Sequence, residues 1–574
     1  MQPQLLPPQS PPAAGAVVAR VLGGLLVIPA LVLTVLSLVV PTVRTISTSM
    51  TDENLVGGPA KDVGYDNYDA VFGQLSFWST LWFALSLVVV PIIVAVVVAP
   101  LVAAAVSWAG GWARLTARIT LSLALVVFSP VAFAIAWLRK VRDADLVQLA
   151  DVDRAAGVLR SSVAMMTFGV VCAVGVMIFV PVFRAREQRR PMWPALFATA
   201  GVAVLGLLAI GLQLFTVPFL MTRFGPENKT LTPVGMLFNT AFIQARPGVG
   251  AAVATVLLAI LAVLGVGAVL IVVLTRLRVS LLPLRRPRSE PPAGFGQTPA
   301  TGLNPAAIVV AVLALVAVLV PLVLNALPWL DALSGSAPQT RPGTPGRTWS
   351  TATTGALLSV GVAYLAGLGI SGLRPLGRHS EWLLLPFAPW LFVGAAPLSV
   401  GFFLSLRDTG GIDSEDALRP PILVSIVSLV IVAVLCHGQS QRWQHQVAGG
   451  APGGVTFVRT VLLPTLPLAG FLFVVTVLVN AQDLWWPLLV ALSPEHDTTV
   501  LTFVRLQDDL RGADFSVASA TPLLAVILGF LAVAALQVLH LDRMVAATGR
   551  PEPAPGPAPG TQPGFPAGDM VPQQ

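Results

Sequence analysis

The residues best suited to chemistry in this chain cluster at Gln482, Asp483, Trp485 and Trp486, just after a long apolar run. An acid at the edge of a membrane span points to contact with a solute. Indole rings stack on sugars, but tryptophan also anchors spans at the membrane surface, so this pair fits either role. Gln213 and Thr216 lie inside another apolar run, where such groups either face a solute or bond across helices. Cys172 and Cys436 are the only cysteines, each within an apolar run. They leave no disulfide framework and no Cys-based metal site, and read as small core residues. His379, His437, His445, His496 and His540 are scattered without ligand spacing. No catalytic residue, metal site or cofactor is expected here. The phosphate-cradling G-x-x-x-x-G-K-[ST] is missing, so any ATP hydrolysis belongs to a partner chain.

The elements that must position these residues follow from composition. Hydrophobic residues are 55% of the chain and charged residues 11%, which excludes a soluble protein. Apolar runs lie at 16–40, 79–106, 117–138, 161–183, 194–220, 248–274, 305–327, 351–373, 382–405, 420–436, 460–480 and 516–540. They are long enough to cross a bilayer as helices, giving an all-α integral membrane fold of about 12 transmembrane helices. Arg276, Arg278, Arg285, Arg286 and Arg288 crowd the end of one run, and Pro and Gly follow as far as 304. Arginine beside a span marks the cytoplasmic side, and the Pro/Gly stretch reads as a linker. The net charge of +7 therefore sets topology and gives no sign of nucleic-acid binding. The resulting division is a disordered N-terminus over 1–15, a first half over 16–275, a basic linker over 276–304, a second half over 305–546 and a disordered tail over 547–574. An even number of spans on each side of the linker places both termini in the cytoplasm and the halves parallel, about a pseudo-two-fold axis along the membrane normal. One long loop in an unrepeated bundle is the alternative.

Three stretches carry a family resemblance. Residues 211–260 hold Phe215, Pro218, Thr222, Gly225, Pro226, Thr230, Phe242, Gly250, Ala251 and Ala252. They resemble the F-x-x-P-y-x-x-T-x-G-G-P-x-x-x-T and G-x-A-A-A pattern in the larger permease subunit of maltose-type ABC importers. Residues 481–489, A-Q-D-L-W-W-P-L-L, look like the W-N-(E/D)-F-x-x-P-L of the smaller subunit, and 536–550 look like its C-terminal end. The chain thus resembles the two type-1 permease subunits fused. The resemblance implies a cell-membrane permease for a sugar or oligosaccharide, without cofactor of its own. It also implies a pair of ATPase subunits, an extracytoplasmic solute-binding protein and the lipid bilayer as partners. Gln213, Thr216, Gln482, Asp483, Trp485 and Trp486 would border the solute path. In the family, the loop after the fourth span of each subunit carries E-A-A-x-x-x-G and docks on the ATPase. Here that place holds Arg184, Arg186, Glu187, Arg189, Arg190 and Trp193 in one half, and Gln444, Gly450 and Ala451 in the other. Neither loop has the motif intact. A secondary transporter, or a non-transporting membrane scaffold derived from such permeases, therefore remains as an alternative.

Overall fold

The computed structural model describes residues 14–56, 60–74, 76–140, 149–185, 191–282, 344–505 and 523–549, with a few positions between 305 and 316. Among them, eight helices are long and apolar enough to cross a membrane, or ten if each of two bent pairs counts as one span. The chain is an all-α, multi-pass membrane protein, with one small ribbon of sheet among the described residues.

The helices of the N-terminal part, spans and shorter ones together, are α1 (Val17–Thr48), α2 (Phe77–Leu87), α3 (Val89–Ala109), α4 (Gly111–Val126), α5 (Pro130–Lys140), α6 (Ala155–Phe183), α7 (Trp193–Leu212), α8 (Thr216–Thr222), α9 (Pro233–Ile243) and α10 (Pro247–Thr275). Strand β1 (Arg278–Leu281) follows. The C-terminal part holds α11 (Thr344–Leu373), a 3₁₀ helix over Gly377–Trp390, α12 (Ala395–Asp408), α13 (Ile426–Ala448), α14 (Leu463–Ala481), α15 (Trp485–Val490), α16 (Thr499–Arg505), α17 (Leu523–Leu539) and β2 (Met544–Ala547). The apolar run at 117–138 is two helices, α4 and α5, parted at 127–129, because Pro130 cannot continue the backbone ladder. The run at 305–327 lies mostly outside the described residues, as do the two termini.

The eight span-length helices are apolar on nearly every face, as helices surrounded by lipid are. Leu22, Leu25, Ile28, Val32 and Leu36 of α1 are exposed, as are Leu524, Leu528 and Leu531 of α17. Between helices, small residues permit close approach. The two parts of the chain meet at such points: Gly23 of α1 against Gly369 of α11, Gly401 of α12 against the Pro41 carbonyl, and Gly265 of α10 against the Ala388 carbonyl.

The ribbon corrects the reading of 276–304 as linker throughout. β1 pairs antiparallel with β2, with Arg278 opposite Ala547 and Leu281 opposite Met544. Arg543 donates to the Leu282 carbonyl at 2.7 Å, and Arg278 and Arg442 cap further carbonyls of the ribbon, those of Gly549 and Leu281. Gly438 of α13 lies so close that a Cβ there would stand 2.0 Å from the Val279 carbonyl oxygen. Residues 276–282 hold no Pro or Gly, and hydrogen bonding to a segment far along the chain makes 278–281 a strand.

Beside the ribbon, Asp542 sits among Arg114, Arg118 and Arg184, at 3.7, 3.5 and 3.7 Å. Gln537 of α17 donates to the Ser122 hydroxyl of α4 at 2.9 Å, in a fully buried contact. These contacts fasten the end of the C-terminal part to α4 and α6.

At the opposite end, Asp413 accepts from the Leu492 and Ser493 amides and the Ser493 hydroxyl, and lies 3.0 Å from His496 Nδ1. The Ser493 hydroxyl is the main cause holding this carboxyl below the ordinary carboxylate range, with the Ser493 amide second. A depressed carboxyl contributes stability above its unfolded pKa and loses it only as pH falls through the lower folded one. We expect limited proteolysis of the 409–425 loop to be unchanged between about pH 7 and 5. Asp413→Ala should speed cleavage at both pH values; equal cleavage of the two proteins would refute the role.

Candidate functional site

Two glutamines organise the middle of the bundle. Helix α7 ends at Leu212 and α14 at Ala481, and Gln213 and Gln482 occupy the following position with the same near-bridge backbone geometry. A short helix follows each break and contains a proline early on, Pro218 in α8 and Pro487 in α15. A Pro-Glu turn comes next in both, Pro226-Glu227 and Pro494-Glu495. Broken helices at membrane depth need partners for their freed backbone groups. Gln213 supplies them across the two parts of the chain. Its Nε2 donates to the Ala209 and Phe392 carbonyls at 3.0 and 2.8 Å, and its Oε1 accepts from the Gly394 amide at 2.8 Å. Gln482 does the reciprocal: its Oε1 accepts from the Ser129 hydroxyl at 2.8 Å. Ser129 caps α5 by accepting from the Ala132 amide at 3.2 Å, with Pro130 in the first turn. Each glutamine thus reaches the break between 3₁₀ helix and α12, or between α4 and α5, in the other part of the chain.

Where these breaks cross lies a cavity of about 480 Å³. Thr216, Gln482 and Asp483 line it, joined by Asn480, Phe128 and Trp390. Gln213 stands behind the wall through Gly394, which is itself a lining residue. Asp483 Oδ1 accepts from the Trp485 amide at 3.0 Å, so it caps α15 while remaining half-buried at the cavity. Among the described residues that line this cavity, Asp483 is the only charged one. A second cavity of about 710 Å³, beside Arg160 and Lys229, contains none of the expected site residues.

Trp485 and Trp486 depart from the expectation. Both are buried and neither lines the cavity. Trp485 packs edge-on against Phe215 at 4.7 Å between ring centres and also meets Phe238 and Phe242. Trp486 donates its indole N–H to the Ala417 carbonyl at 2.7 Å. Contact with the aromatic cluster of the N-terminal part buries the Trp485 ring, and both rings serve as packing. Cys172 and Cys436 are free and buried, as core residues.

The two expected coupling loops also change. Arg184 is turned inward to Asp542 and is buried, so it has no free face for a partner. Arg186, Glu187, Arg189 and Arg190 lie outside the described residues. Trp193 is exposed and stacks on Phe197. In the other loop, Gln444 continues α13 and points outward. The helix then closes at once: the Gly450 amide donates to Val447 and the Ala451 amide to Gln446, with Gly450 left-handed at φ +90°. The next helix starts at Gly453 and runs on through a π turn at Val458–Leu462 into α14, so no separate docking helix stands between α13 and that run among the described residues. Proline at 452 and the paired glycines stop the first helix locally.

Ser129, Asn480, Gly394 and Trp390 were not singled out from sequence. The Ser-Pro capping pair at 129–130 is a readable signal for the break, whereas the partners of Gly394 and Trp390 are not. No protein-family model matches the chain, and no curated protein is similar to it.

Proposed function

We propose that the chain is a solute permease of the cell membrane, built as two six-helix halves of about 12 transmembrane helices in all, in parallel pseudo-two-fold arrangement, with both termini cytoplasmic. The observation that carries this reading is the cavity at the crossing of the reciprocal Gln213 and Gln482 breaks. Broken helices whose ends surround a cavity at membrane depth are how many transporters hold solute. The antiparallel ribbon supports the arrangement, since α10 and α17 each lead into one of its strands at the same end of the bundle. The resemblance to fused maltose-type ABC permease subunits makes paired ATPases and an external solute-binding protein the expected partners.

One observation favours a second reading, in which no ATPase engages the C-terminal half. The tight turn after α13 leaves no separate coupling helix in that half. That reading is a transporter driven otherwise, or a scaffold. Docking on the other half would rest on Arg186 and Arg190 with apolar contact from Trp193 and Phe197. Exposed ion pairs alone give only about 0–1 kcal/mol each. Arg186→Glu with Arg190→Glu should therefore reduce co-purification with an ATPase more than Gln444→Ala with Ala451→Glu. Equal retention by both double variants would remove the asymmetry.

The permease reading itself is tested in proteoliposomes, with labelled maltose and small organic amines offered to the chain with and without ATPase. Uptake that requires the chain supports it. Absence of uptake for every solute in both preparations would leave the scaffold.

A further inference from the structure

The cavity between the two glutamine breaks carries information about what it holds. Its wall is largely Leu, Val, Ile and Pro, with Phe128 and Trp390 as aromatic members. Most polar lining groups already spend their donors on the protein. Thr476 donates to the Leu472 carbonyl at 2.7 Å, Ser425 to the Ser428 hydroxyl at 2.8 Å, and Asn480 to the Ala352 carbonyl at 3.3 Å. Gln482 Oε1 is taken by Ser129. A sugar buried here would lose water from many hydroxyls and regain few bonds, and each unmade bond costs binding free energy. An anion would meet a carboxylate and no basic side chain among the described lining residues.

What the wall does offer is one carboxylate. Asp483 has no ion pair among the described residues, and its bonds to the Trp485 and Trp486 amides use only part of its acceptor capacity. A negative charge in a low-dielectric wall attracts a cation far more strongly than one in water. Aromatic rings in the same wall also suit a weakly hydrated ammonium group. We propose that this cavity takes an apolar organic ammonium, with its cationic head at Asp483 and its hydrocarbon body against Val475, Leu478 and Val479. The assignment rests on the permease reading for its biological use, but binding is measurable without transport.

The test uses the full chain in lipid nanodiscs, with empty nanodiscs as the blank, and isothermal titration of three probes. These are benzyltrimethylammonium, its neutral isostere neopentylbenzene, and maltose. The expected result is saturable binding of the ammonium, at least about tenfold tighter than the isostere, with no binding of maltose. Asp483→Asn keeps an acceptor for the Trp485 amide. It should weaken the ammonium about tenfold or more and leave the isostere within about twofold. Equal binding of ammonium and isostere to the wild-type chain overturns the proposal, whatever the variant does. So does maltose binding without the ammonium, or an ammonium affinity that Asp483→Asn does not change. If the ammonium binds as expected but proteoliposomes move no solute, the ligand class stands and the permease reading falls. If maltose is transported and the ammonium is not bound, the reverse holds.

Discussion

Asp542→Ala should be the most damaging single substitution in this chain, at about 3 kcal/mol or more of stability. The reason is Arg118. Its side chain is 1% exposed, and Asp542, with Oδ1 3.5 Å from its Nε, is its only carboxylate partner among the described residues. Its terminal nitrogens have no hydrogen-bond acceptor among those residues. A guanidinium does not deprotonate to escape burial, so without the carboxylate it remains a charge inside the protein. Arg114 and Arg184 face the same carboxylate and add repulsion when it is gone. Asp542 is itself one-third exposed, which puts the loss at the lower end of the range for a broken buried pair. Protein stability is marginal, so a loss of this size should appear as a collapsed yield of monodisperse protein and a large fall in Tm. Pairing Asp542→Ala with Arg118→Met removes the orphaned charge and should recover much of the loss. A Tm for Asp542→Ala equal to that of the unmodified protein would sink this account, as would a double variant no better than the single one.

The second large effect is expected at Gly369. A Cβ at this position would stand 2.6 Å from the Gly23 carbonyl oxygen and 3.1 Å from Leu26 Cβ, so α1 and α11 touch backbone to backbone. Backbone cannot yield as a flexible side chain does, and lipid offers no hydrophobic force to press the helices back together. Gly369→Val must therefore separate α1 from α11, at about 1–3 kcal/mol or more. Gly361, in the same helix, supplies the control: nothing lies within 4 Å of its Cβ position. Gly361→Val carries the same loss of glycine and the same β-branched side chain without the contact. Thermal unfolding of the two variants should differ sharply, with Gly361→Val near the unmodified protein. Similar Tm values for both would show that helix propensity, not close packing, sets the outcome.

Sequence alone determined the class of this molecule and the positions of most of its helices. A span is a local property: a run of apolar residues either is or is not long enough for the bilayer, and arginine beside it is read without knowing any partner. The repeat of Gln213 with Pro218 and Gln482 with Pro487 was legible as residues, although the expected run at 194–220 passes over the first break without interruption. What those glutamines bond to was not. Phe392, Gly394 and Ser129 lie in the other part of the chain, and only the folded bundle brings them to 2.8 Å. The same separation explains the corrections. Arg184 reads as a topology signal or docking residue until Asp542, close to the far end of the sequence, turns it inward. Trp485 reads as an interface anchor until Phe215 and Phe238 bury it. Residues 278–281 read as linker until 544–547 pair with them. Burial and pairing energies depend on what arrives from elsewhere in the chain, so side-chain direction, and with it the wall of the cavity, was decided by tertiary structure alone.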